Sequence, residues 1–356
     1  MSLPMHNAHI HTFTSQHVPS HFKTWPLMPI IRSKFGGWLA KKILPWVKGD
    51  AGERLAAFAH IGNLGKQEDI YDFVASFYPP DTRFVVLAMD MDHMGAGTAP
   101  EPYSQQLKQL AKLQKDFPDN IRAFVAADPR RDNLLTTVKN HIDMGFWGIK
   151  LYPPLGFFPF DPNLLPVYEY AEKNLIPVLS HCSPGGVYYE GRFHTEMREE
   201  LEKHGGPIRG QKNGEITDRY AHPFHYRKVL DQFPKLKLCL AHYGGGDQWR
   251  AHMRDPWRRG DVPSWLSAVD DLIREYDNVY ADVSSTVADP ITHPLMKVQI
   301  EDPVLGPRIL YGSDFYMVQR QVTEREFSIN FRGYIGESNW KKIACTNPDR
   351  FLGDVH

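Results

Sequence analysis

Short apolar, β-branched runs that end in a polar residue alternate along the chain with longer stretches of helical periodicity. Continuous apolar runs of this length are typical of parallel strands that are buried on both faces. Eight strands are predicted, at Met5–His11, Arg83–Asp90, Ile121–Asp128, Trp147–Tyr152, Ile176–His181, Lys237–His242, Asn278–Asp282 and Arg308–Asp314. Eight helices are predicted near Lys66–Phe77, Glu101–Asp116, Asp132–Met144, Pro162–Lys173, Pro223–Phe233, Ser264–Glu275, Pro290–Ile300 and Glu324–Tyr334.

Eight alternating strand–helix units predict an α/β fold, a closed (β/α)8 TIM barrel that forms one domain over residues 1–356. The alternative is an open, doubly wound sheet, which usually carries a glycine-rich turn after its first strand. Here the first strand continues into His11-Thr12-Phe13 instead. A barrel needs about 250 residues, and we expect the remainder to form two inserts on the catalytic face. These are a helical insert after strand 1, near residues 17–63, and a lid after strand 5, near residues 183–221.

Charge and composition exclude several classes of protein. The 41 Lys and Arg residues balance 42 Asp and Glu residues, and a net charge of −1 without a long basic run argues against a nucleic-acid partner. The start, Met1–His11, has no basic region followed by an apolar one, so no signal peptide is predicted. The most apolar early stretch, 27–47, is interrupted by charged residues and prolines, so no membrane span is predicted. Three cysteines indicate a reducing compartment, and we expect a cytoplasmic protein. The 17 histidines point to metal or acid–base chemistry.

Candidate catalytic groups stand at the ends of the predicted strands, which is where α/β barrels carry their active sites. They are His9 and His11, Asp90, Asp128, Lys150, His181, His242, Asp282 and Asp314. His9 and His11 lie two residues apart on one face of a strand, so both nitrogens can reach one ion at about 2.0–2.1 Å. Each histidine alone is equally well explained as a buried core residue, and Asp314 as a helix cap. Their joint occurrence in this order favours a metal site.

Five segments at these strand ends resemble the amidohydrolase superfamily, and within it the branch that includes aminocarboxymuconate-semialdehyde decarboxylase. The segments are His9-Ile10-His11, Gly148-Ile149-Lys150-Leu151, Leu179-Ser180-His181-Cys182, Leu240-Ala241-His242-Tyr243-Gly244-Gly245 and Tyr311-Gly312-Ser313-Asp314-Phe315. With the closing Asn347-Pro-Asp-Arg-Phe-Leu-Gly353, the resemblance extends from residue 5 to residue 353. One departure is Asn7, since the family often has Asp two residues before the first His; an amide can still orient a neighbour by hydrogen bonding.

The resemblance implies roles for the individual residues. His9, His11 and His181 would hold a divalent ion with Asp314 as its carboxylate ligand. Three nitrogens and one oxygen suit Zn²⁺, and one ion is favoured over two. Asp314 would also transfer a proton in catalysis. His242 would either bind a second ion or act on the water or the substrate carbonyl.

Lys150 and the lid carry the predicted substrate contacts. In binuclear members of the superfamily a carboxylated lysine bridges two ions, whereas in mononuclear members the lysine is a free cation near the substrate. Pairing with Asp90, Asp128 or Asp282 is the structural alternative for Lys150. We predict a free Lys150 that binds substrate. In the lid, Tyr189 and Arg192 suit a planar or acidic substrate.

These inferences predict a metal-dependent hydrolase of a C–N or C–O bond, of the amide, lactam or lactone type, that uses a metal-activated water. The substrate would be a small, acidic or aromatic molecule. The first alternative is metal-dependent, non-oxidative decarboxylation of a small carboxylic acid. The second is a binding or scaffold barrel without turnover, against which the complete set of histidines argues. Because most soluble oligomers are symmetric, we also expect a homodimer or a higher homo-oligomer.

Overall fold

Eight parallel strands form one sheet in which each strand pairs with the next along the chain. The computed structural model describes residues 3–22, 64–255, 264–319 and 322–353. The strands are β1 (His6–Ile10), β2 (Arg83–Leu87), β3 (Ile121–Ala126), β4 (Gly148–Leu151), β5 (Val178–His181), β6 (Leu238–Ala241), β7 (Val279–Asp282) and β8 (Ile309–Leu310). The predicted barrel is therefore confirmed.

Helices follow the strands, and those outside the inserts cover the outside of the sheet. They are α1 (Gln67–Ala75), α2 (Tyr103–Asp116), α3 (Leu134–Asp143), α4 (Leu165–Lys173), α5 (Thr195–Gly205), α6 (Asn213–Asp218), α7 (Tyr226–Gln232), α8 (Gly246–Arg254), α9 (Trp265–Glu275), α10 (His293–Glu301), α11 (Phe315–Val318), α12 (Glu324–Ile335), α13 (Glu337–Lys341) and α14 (Asn347–Leu352). Each of the eight predicted helices overlaps one of these. Within the described ranges, no helix has the length and apolar character needed to cross a membrane.

Two inserts were expected on the face that carries the strand ends. Of the first, predicted at 17–63, residues 23–63 lie outside the described residues. The second, predicted at 183–221, contains α5 and α6. Its apolar side chains Leu201, Ile216 and Tyr220 form a small buried cluster with Phe158, which follows β4. This cluster attaches the insert to the barrel.

Apolar side chains fill the barrel interior and a larger layer between strands and helices. The interior layer consists of Ala8, Val85, Leu87, Phe124, Leu179, Cys239, Ala241, Tyr280 and Leu310, closed at one end by Phe351 and Leu352. The absence of a side chain at Gly148 makes room for the Phe124 ring, because a Cβ at Gly148 would lie 2.4 Å from it. The cysteines at 182 and 239 are both buried, as packing residues would be.

Several strands end earlier than the sequence predicts. β2 ends at Leu87 instead of Asp90, and β8 ends at Leu310 instead of Asp314. The chain leaves the sheet there because the following residues make irregular contacts; the Asp314 amide, for example, donates to the His9 carbonyl at 2.8 Å. Several candidate residues therefore lie on the first loop positions after the strands.

The seam between β1 and β8 closes the barrel and depends on Asn7. The Ala8 amide donates to the Tyr311 carbonyl at 2.8 Å. The Asn7 side-chain oxygen accepts from the amides of Ser313, at 3.0 Å, and His9, at 3.3 Å. Its nitrogen donates to the hydroxyls of Ser313, at 2.9 Å, and Tyr78, at 3.1 Å. An amide both donates and accepts, so Asn7 satisfies its own buried groups while it joins the two strands.

A buried carboxyl group continues this network. The Tyr78 hydroxyl donates to Glu324, the first residue of α12, and lies 2.8 Å from the Tyr311 hydroxyl. Glu324 is fully buried, and this burial raises the pKa of its carboxyl group to about 7. The folded protein thus favours the protonated form, because a buried carboxylate loses its hydration.

Glu324→Gln should make the folded protein more stable at pH 8 than the wild type. A carboxyl pKa that is higher in the folded state than in the unfolded state costs stability as pH rises from about 4.5 to about 7. Gln stays neutral, so the stability difference between variant and wild type should grow by on the order of 3 kcal/mol between pH 4 and pH 8. Urea unfolding at both pH values measures it, with the exposed Glu199→Gln as control. An equal difference at both pH values would contradict the burial argument.

Candidate metal centre

Four histidines from three strand ends come together at one end of the barrel. His9 lies in β1, His11 directly follows it, His181 ends β5 and His242 follows β6. The ring centroid of His9 lies 5.3 Å from that of His11 and 4.8 Å from that of His242. The centroids of His181 and His242 are 4.7 Å apart. All four residues are at most 6% exposed, so the structure gathers the predicted histidines into one buried cluster.

Asp314 joins the cluster from the loop after β8. One donor atom each from His9, His11 and Asp314 lie within 4.8 Å of one another. His9, His242 and Asp282 form a second such group. His181, the remaining predicted ligand, contacts His242 through ring nitrogens 3.1 Å apart.

Hydrogen bonds assign the protons of the two β1 histidines. His11 Nδ1 lies 2.8 Å from the carbonyl oxygen of Leu87, which can only accept, so Nδ1 carries the proton. His9 Nδ1 lies 2.9 Å from a carboxylate oxygen of Asp282 and donates in the same way. The Nε2 atoms of both rings therefore keep their lone pairs. Within the described part of the chain, the buried His9 Nε2 has no hydrogen-bond partner.

The same reasoning places two lone pairs opposite each other in the second histidine pair. His181 Nε2 donates to the carbonyl of Ser183 at 3.0 Å, and His242 Nδ1 donates to the carbonyl of Ser284 at 3.1 Å. The remaining nitrogens, His181 Nδ1 and His242 Nε2, face each other at 3.1 Å. Two neutral acceptors at this distance repel unless a cation or a proton lies between or beside them.

The histidines are neutral at physiological pH. Burial, followed by the charges of Lys150 and neighbouring imidazoles, holds the pKa values of His9, His11 and His181 well below their usual range. Burial likewise lowers the pKa of His242 to about 4. Neutral imidazole is the form that binds metal ions. Metal binding therefore needs no deprotonation of these rings at pH 7.

The loops after three adjacent strands have strained backbones. His242 and Tyr243 after β6, Ser285 after β7 and Asp314 after β8 have φ values between 46° and 65°. Residues other than glycine rarely adopt this left-handed region, and such strain is concentrated at functional sites. It turns the side chains of His242 and Asp314 out of the regular strand pattern.

Asp282, the last residue of β7, is the hub of the cluster. Besides His9 Nδ1, its carboxylate accepts the backbone amides of His242 and Ser284, both at 3.0 Å, and the Ser284 hydroxyl. Sequence reasoning treated Asp282 only as a strand end and a partner for Lys150. The sequence did contain a signal for its role, because Asp282 ends a buried strand of a barrel that carries histidines on β1.

Lys150 lies in the barrel interior with its side chain completely buried. Within the described residues its Nζ has no hydrogen-bond partner. Burial lowers the pKa of Lys150 to about 8, although the charges of Asp282 and Asp314 oppose this effect. Three aspartates were expected as possible partners of Lys150. Of these, Asp282 is the one whose charge raises the pKa of Lys150, whereas Asp128 pairs with Arg130 and Asp90 pairs with Arg131.

The donor set fits a divalent ion. It combines unprotonated imidazole nitrogens, one of them buried without a partner, with the carboxylate of Asp314. Nitrogen and oxygen donors of this kind suit Zn²⁺ and other first-row divalent ions. A carboxylate placed as Asp282 is, 2.9 Å from Nδ1 of His9, typically orients a metal-binding histidine and raises its basicity.

The two predicted lid contacts have partners outside this cluster. Tyr189 is buried, with Arg130 5.9 Å from its ring centroid, and its hydroxyl donates to the Arg192 carbonyl at 3.3 Å. Arg192 is exposed beside a cleft of about 540 Å³ at the start of α5. The role of Tyr189 and Arg192 in substrate binding stays a prediction.

Residues 66–353 match the family model described as amidohydrolase, and the chain belongs to this family. The predicted superfamily is thereby confirmed. The chain matches none of the curated protein sequences.

Solved structures share the fold at low sequence identity. The 5-carboxyvanillate decarboxylase of Novosphingobium aromaticivorans, complexed with manganese and a nitrobenzoic acid, is 13% identical with a TM-score of 0.59, over 99% of this chain and 96% of that one. The 2,6-dihydroxybenzoate decarboxylase of Rhizobium is 16% identical with a TM-score of 0.53, over 99% of both chains. A probable 2-pyrone-4,6-dicarboxylic acid hydrolase of Acinetobacter baumannii is 12% identical with a TM-score of 0.52, over 99% of this chain and 100% of that one.

Replacing a predicted ligand should abolish tight metal binding. His9→Ala, His11→Ala and Asp314→Ala each remove a donor from the group that lies within 4.8 Å. Calorimetric titration of the metal-free protein with Zn²⁺ and with Mn²⁺ measures the loss, and circular dichroism checks the fold. His141→Ala, a partly buried histidine on α3 that bonds within its helix, is the control. Wild-type affinity in His9→Ala or His11→Ala would sink the site assignment.

Asp282→Asn should weaken metal binding without removing a predicted ligand. The amide keeps the shape of the side chain but takes away the negative charge that holds the proton on His9 Nδ1. Loss of such a partner typically costs about 10- to 100-fold in affinity. The same titration applies, with Asp270→Asn as a control for loss of a partly buried carboxylate away from the cluster. Unchanged affinity would show that Asp282 does not orient His9.

Proposed function

We propose that this protein is a metal-dependent enzyme that removes the carboxyl group from a small carboxylic acid without oxidation. The observation that carries the proposal is the buried ammonium group of Lys150, which lacks a hydrogen-bond partner within the described residues. Its charge acts on all four clustered histidines. A cation in this position is suited to bind an anionic group of the substrate beside the metal centre.

The charge of the site supports an anionic substrate. The histidines are neutral, so the fixed charges are those of Asp282, Asp314 and Lys150. A bound divalent ion would turn the resulting net negative charge of one into a net positive charge of one. A carboxylate substrate would then make the buried site neutral, which lowers the cost of burying all these charges together.

His9, His11, His181 and Asp314 would hold the ion, whose positive charge would draw electron density from the substrate. Lys150 would bind the carboxylate or an adjacent oxyanion by a charge-assisted hydrogen bond. Once the substrate is bound, the Asp314 carboxylate would take up a proton from solvent and deliver it to the carbon that bears the substrate carboxylate, and His242 would orient the substrate. The bond from that carbon to the carboxylate then breaks, its electron pair stays with the carbon, and CO₂ leaves. Asp314 is again a carboxylate after this step.

Structural relatives also support decarboxylation over hydrolysis. Two of the three described above are named decarboxylases of hydroxylated benzoic acids, and one of them is complexed with manganese. This agrees with the resemblance of the strand-end motifs to a decarboxylase branch. We therefore favour decarboxylation over the hydrolysis that the sequence alone predicted. Zn²⁺ and Mn²⁺ are the candidate ions.

Hydrolysis of a C–O bond is the second candidate. The family is described as amidohydrolase, and one structural relative is named a hydrolase of a pyrone dicarboxylic acid. Asp314 and His242 could serve hydrolysis as base and orienting group with the same Lys150 contact. Both candidates share a carboxylate substrate, and they differ in the bond that breaks. The oligomeric state and the cytoplasmic location stay predictions.

The metal-loaded protein should release CO₂ from at least one member of a panel of hydroxybenzoic acids. The panel contains ortho-hydroxylated benzoic acids labelled with ¹³C in the carboxyl group, together with pyrone and lactone carboxylic acids. Mass spectrometry of the headspace detects labelled CO₂, and chromatography detects ring-opened acids. Ring opening without CO₂ would establish the hydrolase, and no turnover together with no metal binding would favour a scaffold.

Lys150→Met is the matched variant for this assay, because methionine fills the buried space without the charge. Losing one charge-assisted contact of about 1.5–3 kcal/mol lowers kcat/KM about 10- to 150-fold. Metal affinity should persist, since Lys150 is not a predicted ligand. An unchanged kcat/KM for carboxylate substrates would refute the role of Lys150.

A further inference from the structure

Tyr152 lies between the metal cluster and the insert that follows β5. It stands one residue beyond β4, and its ring stacks on that of His181 with centroids 4.4 Å apart and planes 27° from parallel. Its hydroxyl accepts the backbone amide of Val187 at 3.1 Å. One side chain thus contacts both a clustered histidine and the start of the insert.

The first residues of the insert wrap around His181. The Ser183 carbonyl accepts the proton of His181 Nε2 at 3.0 Å. Gly186 follows in the left-handed region, with φ 103°, and its backbone lies against the same ring. Gly186 is exposed whereas His181 is 4% exposed, so this loop separates the histidine from solvent.

The loop can approach so closely only because residue 186 is glycine. A Cβ there would lie 2.3 Å from the Tyr152 hydroxyl oxygen and 3.3 Å from Cε1 of His181. The neighbouring Gly185 also has a left-handed backbone, with φ 99°, but a Cβ there would meet nothing within 4 Å. The Gly185 amide donates to Asp218 at the end of α6, 2.9 Å away, which fixes the other side of the loop.

We propose that Tyr152 is a positioning residue that joins the loop 183–187 to His181, so that this loop forms a wall of the substrate site. The ring holds the plane of the His181 imidazole, and the hydroxyl holds the loop against it. The hydrogen bond from Val187 and the close packing at Gly186 then hold the loop against Tyr152, in addition to the contacts of Ser183 with His181 and of Gly185 with Asp218. This inference rests on the proposed function for its kinetic consequences, but its structural part does not depend on any activity.

Tyr152→Phe separates the two roles of the side chain. Phenylalanine keeps the ring on His181 and removes only the acceptor for the Val187 amide. Hydrogen exchange followed by mass spectrometry should show at least about fivefold faster exchange in peptides that cover 184–190, while affinity for Zn²⁺ or Mn²⁺ is unchanged. Tyr152→Leu removes the stacked ring and should weaken metal affinity as well. Equal protection of 184–190 in wild type and Tyr152→Phe would overturn the proposal.

A pair of glycine variants tests the close approach. Gly185→Ala introduces backbone strain alone, whereas Gly186→Ala adds a collision with the Tyr152 hydroxyl. Gly186→Ala should therefore open the loop more than Gly185→Ala does. Combining Gly186→Ala with Tyr152→Phe should restore part of the lost protection, because the colliding oxygen is gone. Additive effects of the two substitutions would contradict a direct contact between them.

Kinetics of the same variants connect the loop to the substrate once turnover has been found. Tyr152→Phe should raise KM more than it lowers kcat, because a loosened wall weakens substrate binding while the ring on His181 is kept. A change in kcat alone would contradict the role of the loop as a wall. If no substrate turns over, the proposed function fails, while hydrogen exchange and metal titration still decide the role of Tyr152.

Discussion

The fully buried carboxylate of Asp282 is the constraint on which the arrangement of the site depends. A carboxylate without water is costly unless donors surround it. Here His9 from β1, the backbone of His242 after β6, and Ser284 after β7 all donate to it. Breaking any of these contacts would leave part of the charge unsatisfied. The need to satisfy this carboxylate therefore fixes the strand ends relative to one another, and with them the histidines.

The same burial sets the protonation states that the proposed chemistry uses. Neutral rings of His9, His11, His181 and His242 are available as ligands because burial and the charge of Lys150 disfavour the imidazolium form. In this arrangement the unprotonated nitrogens of His181 and His242 face each other. Within the described residues, the ammonium group of Lys150 has no hydrogen-bond partner. Each is unfavourable alone, and a divalent ion together with an anionic substrate would relieve both.

Sequence patterns predicted the barrel and most of the clustered residues because these features are local. Apolar runs mark the strands, and the polar residue that ends each run marks the catalytic face. The contacts that organise the site join distant positions, such as His9 with Asp282 and Asn7 with Ser313. No local pattern reports them, so Asn7 stood out only as a departure and Asp282 as one strand end among several. The strand boundaries were overestimated for a related reason, since the left-handed backbone at Asp314 results from tertiary contacts.

Tyr152 links the histidine cluster to the loop that follows β5. Its ring stacks on His181, and its hydroxyl accepts from Val187 in the insert. The barrel strands would then fix the metal and the lysine, while the insert after β5 would fix the shape of the space above them.

The most direct test of this account is anomalous diffraction from crystals of the metal-loaded protein, recorded on both sides of the absorption edge of the bound ion. The account predicts one ion in contact with Nε2 of His9, Nε2 of His11, Nδ1 of His181 and the carboxylate of Asp314, beside an unmodified Lys150. Two ions bridged by a carboxylated Lys150, or an ion bound elsewhere in the molecule, would contradict it.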